Sequence, residues 1–384
     1  MSQSWQAYQG ARIFDGQRWW EGHSLVISAN QVQSIVADEA LPAGVRRHQL
    51  SGGLLVPGLI DVHVNGGGGV LFNDHPEAAA LGKIVEAHRP YGTTAMMPTL
   101  ITDLDPVMEQ AIAAVAQATT EGMPGVLGLH LEGPYLNSAR KGVHDEQRIR
   151  PMPAQMLEPI CQLAGQTKVM LTLAPECVPM AWISQLAAAG VRVCAGHSAA
   201  SYAQMQQAFT AGVVGVTHLF NAMSPLQSRE PGVVGAALED EQSWCGLIVD
   251  GLHVHPATMR VALRAKPQGK VMLVTDAVHT VGAVGEDFNL MGKAIKRING
   301  KVATLDGVLA GSDLNMIQGV RNCVEMLQLD LAEALRMGSL YPAQFLGLTE
   351  YGWLGQGSRA DFLWLSDALQ VQATWIGGEA EYYR

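Results

Sequence analysis

Cysteine is scarce in this chain. Its five cysteines (Cys161, Cys177, Cys194, Cys245, Cys323) are odd in number and no two form a C-x-x-C pair, which argues against a disulfide framework or a cysteine-built zinc knuckle and reads as buried free thiols. Basic residues are outnumbered too: 25 Lys and Arg stand against 35 Asp and Glu, a formal charge of −10. A surface of that sign disfavours nucleic acid and anionic membranes as partners, and an anionic substrate needs a local basic pocket. No uncharged run approaches the ~18 apolar residues of a membrane span, and the opening MSQSWQAYQGARIFDG has neither a basic n-region nor an apolar h-region. The reading is a cytoplasmic protein. Aromatics make up only 6%, yet 48% of the residues are hydrophobic and 16% charged, which excludes wholesale disorder.

Two textures alternate along the 384 residues. Up to about residue 55, short strand-like pieces (ARIFDG, SLVISANQVQSIVA, HQLSGGLLVPG) are separated by Gly, Asn and Pro. From Gly58 onward, apolar runs alternate with helical stretches, as in βα units on a parallel sheet. Eight such runs occur, at 59–65, 93–100, 125–133, 168–176, 191–198, 214–222, 244–251 and 271–278. Between them, Asp105–Ala118 places Val107, Ala111, Ala114, Val115 and Ala118 on one face, and a helix over Ser201–Ala211 has a serine cap and ends before Gly212. Eight strands alternating with helices suit a (β/α)₈ barrel of the TIM type, typically ~250 residues, better than an open sheet. After Leu346 the β texture returns in GWLGQGSRADFLWLS and VQATWIGGEA. The expected organisation is a barrel over residues 57–346 and a small β domain built from residues 1–56 and 347–384.

In a barrel the chemistry lies where the strands end, and here the ends are polar. The runs close on His63 and Asn65, His130 and Glu132, His197, His218 and Asn221, Asp250 and His253, and Asp276. A strand-end histidine taken alone is more often a hydrogen-bonded structural group, and the chain has 12 histidines. Glu132, His197, His218 and Asp276 together, each ending a different strand, make the carboxylate–imidazole set that a borderline Lewis acid binds with one position left open. An aspartate after the last strand can take a proton from an activated water and pass it to a leaving group. His130 shares a strand face with Glu132, and the spacing gives it no role.

The motifs PGLIDVHVNG, HLEGPY followed by KGVH, AGHS, THLFNAM, SREPGVVGA, DGLHVHP and LVTDAV, in this order, resemble the amidohydrolase superfamily and, within it, the N-acetylglucosamine-6-phosphate deacetylases. The resemblance runs from about Pro57 to Pro342. It implies hydrolysis of the acetamide of N-acetyl-D-glucosamine 6-phosphate to acetate and D-glucosamine 6-phosphate, in amino-sugar catabolism, by a homodimer. It implies Glu132, His197 and His218 as metal ligands, Asp276 as the catalytic acid/base, and His144, Asn221, Ala222, Arg229 and His253 as substrate-binding residues, with Arg229 reaching the neighbouring subunit's site. The metal is expected to be one divalent ion, Zn²⁺ or else Fe²⁺, since Glu plus two His suits both. The superfamily pattern H-x-H is here His63-Val64-Asn65, so His63 is left between holding a second metal, contacting the water and a structural role. Three other readings stay open: the galacto epimer of the substrate, opening of a cyclic amide, which the SREPG motif disfavours, and a non-catalytic sugar-phosphate-binding barrel.

Overall fold

The eight apolar runs form eight parallel strands in a computed structural model that describes residues 5–290 and 292–383. Positions 1–4 and 384 of the two expected flanking segments lie outside the described residues. The strands are β1 (Leu59–Val64), β2 (Thr93–Ile101), β3 (Gly128–Glu132), β4 (Lys168–Leu173), β5 (Arg192–Ala195), β6 (Gly215–Val216), β7 (Trp244–Leu247) and β8 (Val271–Leu273). They pair in chain order, and a parallel bridge between Val64 and Ala277 joins the last strand's extension to the first. The (β/α)₈ expectation holds. β1 and β2 are buried along their whole length, as strands covered on both faces must be, which is why they read as largely apolar runs, broken in β1 by the buried Asp61 and His63.

Each strand is followed by a helix. These are α1 (Ala78–His88), α2 (Asp105–Thr120), α3 (Leu157–Ala164), α4 (Met180–Ala188), α5 (Tyr202–Ala211), α6 (Gly232–Glu239), α7 (Pro256–Ala265) and, after β8, α8 (Met316–Glu325). The sequence signals locate α5 well. Ser201 accepts from the Gln204 backbone N–H while the Gln204 side chain bonds back to the Ser201 backbone, and Gly212 ends the helix in the left-handed conformation. In α2 the residues Met108, Ala111, Ala114, Val115 and Ala118 are buried.

Residue contacts group the chain into two units, one of residues 62–87 and 96–314, the other of residues up to 61, 88–95 and from 315 onward. Within the first, a three-stranded antiparallel sheet of Asp287–Leu290, Lys293–Ile298 and Lys301–Thr304 is inserted after β8. Its second hairpin turns on Asn299 and Gly300, both at positive φ (52° and 76°), the preferred pair for a two-residue turn between twisted strands. Leu290, Ile295 and Val302 of this insert are buried with Leu71, Val278 and Ala310.

In the second unit the two ends of the chain share a six-stranded sheet. Leu54–Pro57 runs parallel to Arg12–Phe14 on one side and antiparallel to Phe362–Leu365 on the other. Its core holds Tyr8, Ile13, Leu25, Ile27, Leu55, Phe362 and Trp375. The Phe362 and Trp375 rings stack at 4.4 Å, and Trp375 Nε1 donates to the Tyr8 hydroxyl at 3.0 Å. A small β domain from both termini is thus present as expected.

Candidate active site

The strand ends converge on one carboxylate. Glu132 is the last residue of β3. His197 Nε2 lies 3.1 Å and His218 Nε2 2.9 Å from Glu132 Oε1, and the two imidazole nitrogens are 3.1 Å from each other. His63 Nε2 approaches the other oxygen, Oε2, at 3.0 Å, with His144 Nε2 4.0 Å from it. Burial alone would push the Glu132 carboxyl up. The His63 charge beside it and the hydrogen bonds from His197, His218 and His63 outweigh that cost and hold it well below the usual carboxylate range.

The backbone is bent to achieve this. His197, His218 and Asp276 have φ of 48°, 34° and 53°, and Ala222 has 51°. Non-glycine residues take this region at a cost of order 1–3 kcal/mol each, and such conformations concentrate at functional sites. Gly311 (φ 66°) permits the close approach that holds Asp276 from behind: a Cβ there would meet Val278 Cγ1 at 2.5 Å and the Asp276 carbonyl at 2.9 Å. The Ser312 N–H donates to that carbonyl at 2.8 Å.

The donor set fits a divalent cation. His197 Nδ1 lies 2.9 Å from the Arg140 carbonyl, which can only accept, so Nδ1 bears a proton and the Nε2 that faces Glu132 Oε1 and His218 Nε2 is the nitrogen left to ligate once it gives up its own. Lone pairs gathered at about 3 Å repel one another unless a cation lies among them, and an outer carbonyl fixing the ring tautomer is the usual support for a ligating histidine. Two further groupings of metal-ligand type occur among the described residues, Glu132–His144–His197 and His63–Glu132–Asp276.

Asp276 is anchored through one oxygen. Asn65 Nδ2 donates to its Oδ1 at 2.7 Å, and His63 Nε2 is 3.2 Å from the same atom. Oδ2 bonds to no described residue and Asp276 lines the pocket. Nothing in the sequence marked Asn65 as a partner of Asp276, because the two are 211 positions apart.

A cavity of about 250 Å³ opens over this cluster and is lined by His144, Asn221, Ala222 and His253 among others. His144 Nδ1 lies 2.7 Å from Thr102 Oγ1; burial, followed by the charge of His197, keeps the ring well below its ordinary pKa. For His253, burial lowers the pKa, but the 2.6 Å contact of Nδ1 with Asp250 Oδ2, and the charges of Asp250 and Asp276, raise it overall. His253 is therefore disposed to carry positive charge at the pocket wall. Asn221 Nδ2 donates to the carbonyls of His218 and Leu219. The inserted sheet and its return add an apolar wall, Leu290, Val308 and Leu309, which the sequence reading missed although Asn299-Gly300 signalled its hairpin.

Two residues fall elsewhere. Arg229 is exposed on the segment after β6, outside the pocket lining, and bonds to no described residue. Its neighbour Glu230 instead accepts the backbone N–H groups of Tyr202 and Gly232. His130 lies beneath the cluster, with Nδ1 3.0 Å from Thr99 Oγ1 and Nε2 2.8 Å from Thr172 Oγ1.

A barrel with Glu, His and Asp at its strand ends defines the amidohydrolase class, and the chain belongs to the Amidohydrolase family, which it matches over residues 54–380, with the NagA composite domain over residues 7–55. More particularly, the chain is similar to deacetylases of N-acetylated hexosamine 6-phosphates. It is 42% identical over 336 residues to the N-acetylgalactosamine-6-phosphate deacetylase of Shewanella sp. (strain ANA-3), covering 87% of this chain and 85% of that one. The crystal structure of N-acetylglucosamine-6-phosphate deacetylase from Pasteurella multocida matches with a TM-score of 0.95 at 34% identity, over 99% of this chain and 100% of that one. A mutant of the Mycobacterium smegmatis N-acetyl-D-glucosamine-6-phosphate deacetylase, in complex with N-acetyl-D-glucosamine-6-phosphate, matches with a TM-score of 0.90 at 31% identity, over 99% of both chains.

Proposed function

We propose that the protein hydrolyses the acetamide of N-acetyl-D-glucosamine 6-phosphate to acetate and D-glucosamine 6-phosphate. The observation that carries this is the convergence of Glu132, His197 and His218 within 3.1 Å beside a singly anchored Asp276. Those three residues would hold one divalent cation, Zn²⁺ or Fe²⁺ by donor type, which when bound supplies Lewis-acid activation of water and of the amide carbonyl.

The chain's own groups account for the protons. Oδ2 of Asp276, left free by the anchoring of Oδ1, takes a proton as the water oxygen adds to the acetyl carbon. The same oxygen then returns it to the amide nitrogen, so that the C–N bond breaks toward a neutral amine rather than a nitrogen anion. His63 and Asn65 orient the carboxylate throughout, which is the use of His63 that supports a single cation.

His144, Asn221, Ala222 and His253 form the sugar-binding wall. On a chain of charge −10 a phosphate dianion needs concentrated positive donors, and Arg229 provides a permanently charged fork suited to phosphate oxygens. Since Arg229 stands outside its own pocket, it acts in this reading on the site of a second subunit in a homodimer. Five free cysteines suit a reducing, cytoplasmic setting.

A second reading, N-acetyl-D-galactosamine 6-phosphate as the substrate, is favoured by the 42% identity to the Shewanella protein. Acetate release from the two 6-phosphates, side by side with the unphosphorylated sugars, decides between them. Release from neither phosphate would overturn both readings.

A further inference from the structure

We propose that the unit formed by the chain's two ends carries a second, non-catalytic site that binds an uncharged N-acetylated hexose. The place is a cavity of about 630 Å³, inside the ~300–1,000 Å³ span of small-molecule sites. Its walls bring together Trp20, Trp353, Asp15 and three glutamines, Gln17, Gln33 and Gln356.

Both indoles are held in place by the protein itself. Trp20 Nε1 donates to Asp15 Oδ2 at 2.7 Å, and Asp15 Oδ1 accepts the backbone N–H groups of Gln17 and Arg18 at 2.7 and 2.8 Å. The Arg18 guanidinium lies 3.9 Å from the centre of the Trp20 ring and covers one face of it. Trp353 Nε1 donates to the Thr349 carbonyl at 2.8 Å. Its ring lies so close to Gly355 that a Cβ there would meet it at 2.4 Å. The polar lining, by contrast, is uncommitted: the side chains of Gln17, Gln33 and Gln356 bond to no described residue.

Rigid aromatic surface beside free primary amides is the chemistry that recognises a pyranose bearing an acetamide. The C–H faces of the sugar ring are apolar and pack on indole, while its edge offers hydroxyls. A glutamine presents one carbonyl and one NH₂, which pair with the N–H and C=O of an acetamide. Asp15 is the one charged residue on the lining, three donors already occupy it, and its charge offsets the Arg18 guanidinium 4.0 Å away, so the place offers a phosphate no net positive charge. The ligand class is therefore neutral, unlike that of the barrel pocket, and the site requires nothing of the catalytic reading.

Titration of the full chain, as Asp276→Asn so that nothing is turned over, tests this by ligand-detected NMR with N-acetyl-D-glucosamine and D-glucose as probes. N-acetyl-D-glucosamine should saturate, and D-glucose should bind more weakly. Trp353→Ala should weaken N-acetyl-D-glucosamine by about tenfold or more, and Gln356→Ala by about threefold. With the barrel pocket filled by excess N-acetyl-D-glucosamine 6-phosphate, which Asp276→Asn does not turn over, the titration should persist. Gln356 is exposed and unbonded, so its loss does not threaten folding and the comparison stands even if Trp353→Ala melts early. Absence of saturation, indifference to both lining substitutions, or loss of binding once the barrel pocket is filled would overturn the site. Equal affinity for D-glucose would overturn its acetamide specificity. Acetate release is measured separately, so this failure and that of the deacetylase reading are distinguishable.

Discussion

Asn65 Nδ2 donates to Asp276 Oδ1 at 2.7 Å, and the bond spans 211 positions of sequence. Asn65 stands where the superfamily pattern H-x-H has its second histidine. An amide there donates a hydrogen bond to the carboxylate, whereas a second imidazole would add a metal-ligand nitrogen. The departure in sequence thus coincides with a specific geometric use, the pinning of one oxygen of Asp276 while the other faces the cavity.

Asp276→Asn should retain the cation and the sugar while lowering kcat by the ~10²–10⁴ of general acid–base catalysis. Asn tolerates the left-handed backbone found at this position, so the loss reports chemistry rather than misfolding. A kcat within tenfold of the parent would assign the proton to another group.

For the anchoring pair, Asn65→Leu should lower kcat by roughly tenfold, the value of one hydrogen bond to a charged group, with KM little changed. His63→Gln should keep one bound ion and substantial activity. Loss of a stoichiometric second ion in His63→Gln, measured by metal analysis, would contradict the single-cation reading.

Chelation should abolish turnover, and readdition of Zn²⁺ or Fe²⁺ should restore it together with thermal stability, by ~2.7 kcal/mol at a hundredfold excess over Kd. Glu132→Gln should lose both ion and turnover. Undiminished activity in protein shown to be metal-free would end the proposal.

The ion-free protein should grow less stable on acidification. His130 and His144 are buried and held well below the ordinary histidine value, so below about 6.5 the unfolded chain takes up protons that the folded one refuses. Their neutral burial carries no penalty above that value and costs up to about 1.4 kcal/mol per pH unit each as pH falls toward the folded pKa. Melting of chelated protein across this range, compared with His144→Gln, checks it: the variant should show the shallower decline.

Arg229→Ala should raise KM for the 6-phosphate sugar and narrow its advantage over the unphosphorylated one, with kcat nearly intact. If Arg229 serves a neighbouring subunit, mixing this variant with Asp276→Asn should regenerate sites having both groups. A phosphate preference unmoved by Arg229→Ala would remove the residue from substrate binding.

Much of this was legible in sequence because parallel strands buried on both faces must be apolar throughout, so a polar residue ending each one stands out. Glu132, His197, His218 and Asp276 were visible for that reason. What pairs across the barrel was not, since register between distant strands leaves no local trace: Asn65 had no evident partner, and His130 had none until Thr99 and Thr172 were placed beside it. The inserted sheet at 287–304 was passed over because Lys and Arg interrupt its alternation, although the Asn299-Gly300 turn was there to be read. Arg229 illustrates the reverse case, a motif residue that the single chain leaves in solvent.

The Val64–Ala277 bridge has a consequence for how the site comes into being. The three residues that would hold the ion all lie between positions 132 and 218, whereas Asp276, the proton carrier of the proposed reaction, and its two anchors sit on opposite margins of the seam where the last strand's extension meets the first. During synthesis the ion-binding set is complete before Asp276 has emerged. A chain with its seam open would then sequester metal without turning over substrate, so the ratio of activity to bound ion measures the fraction of barrels that have closed.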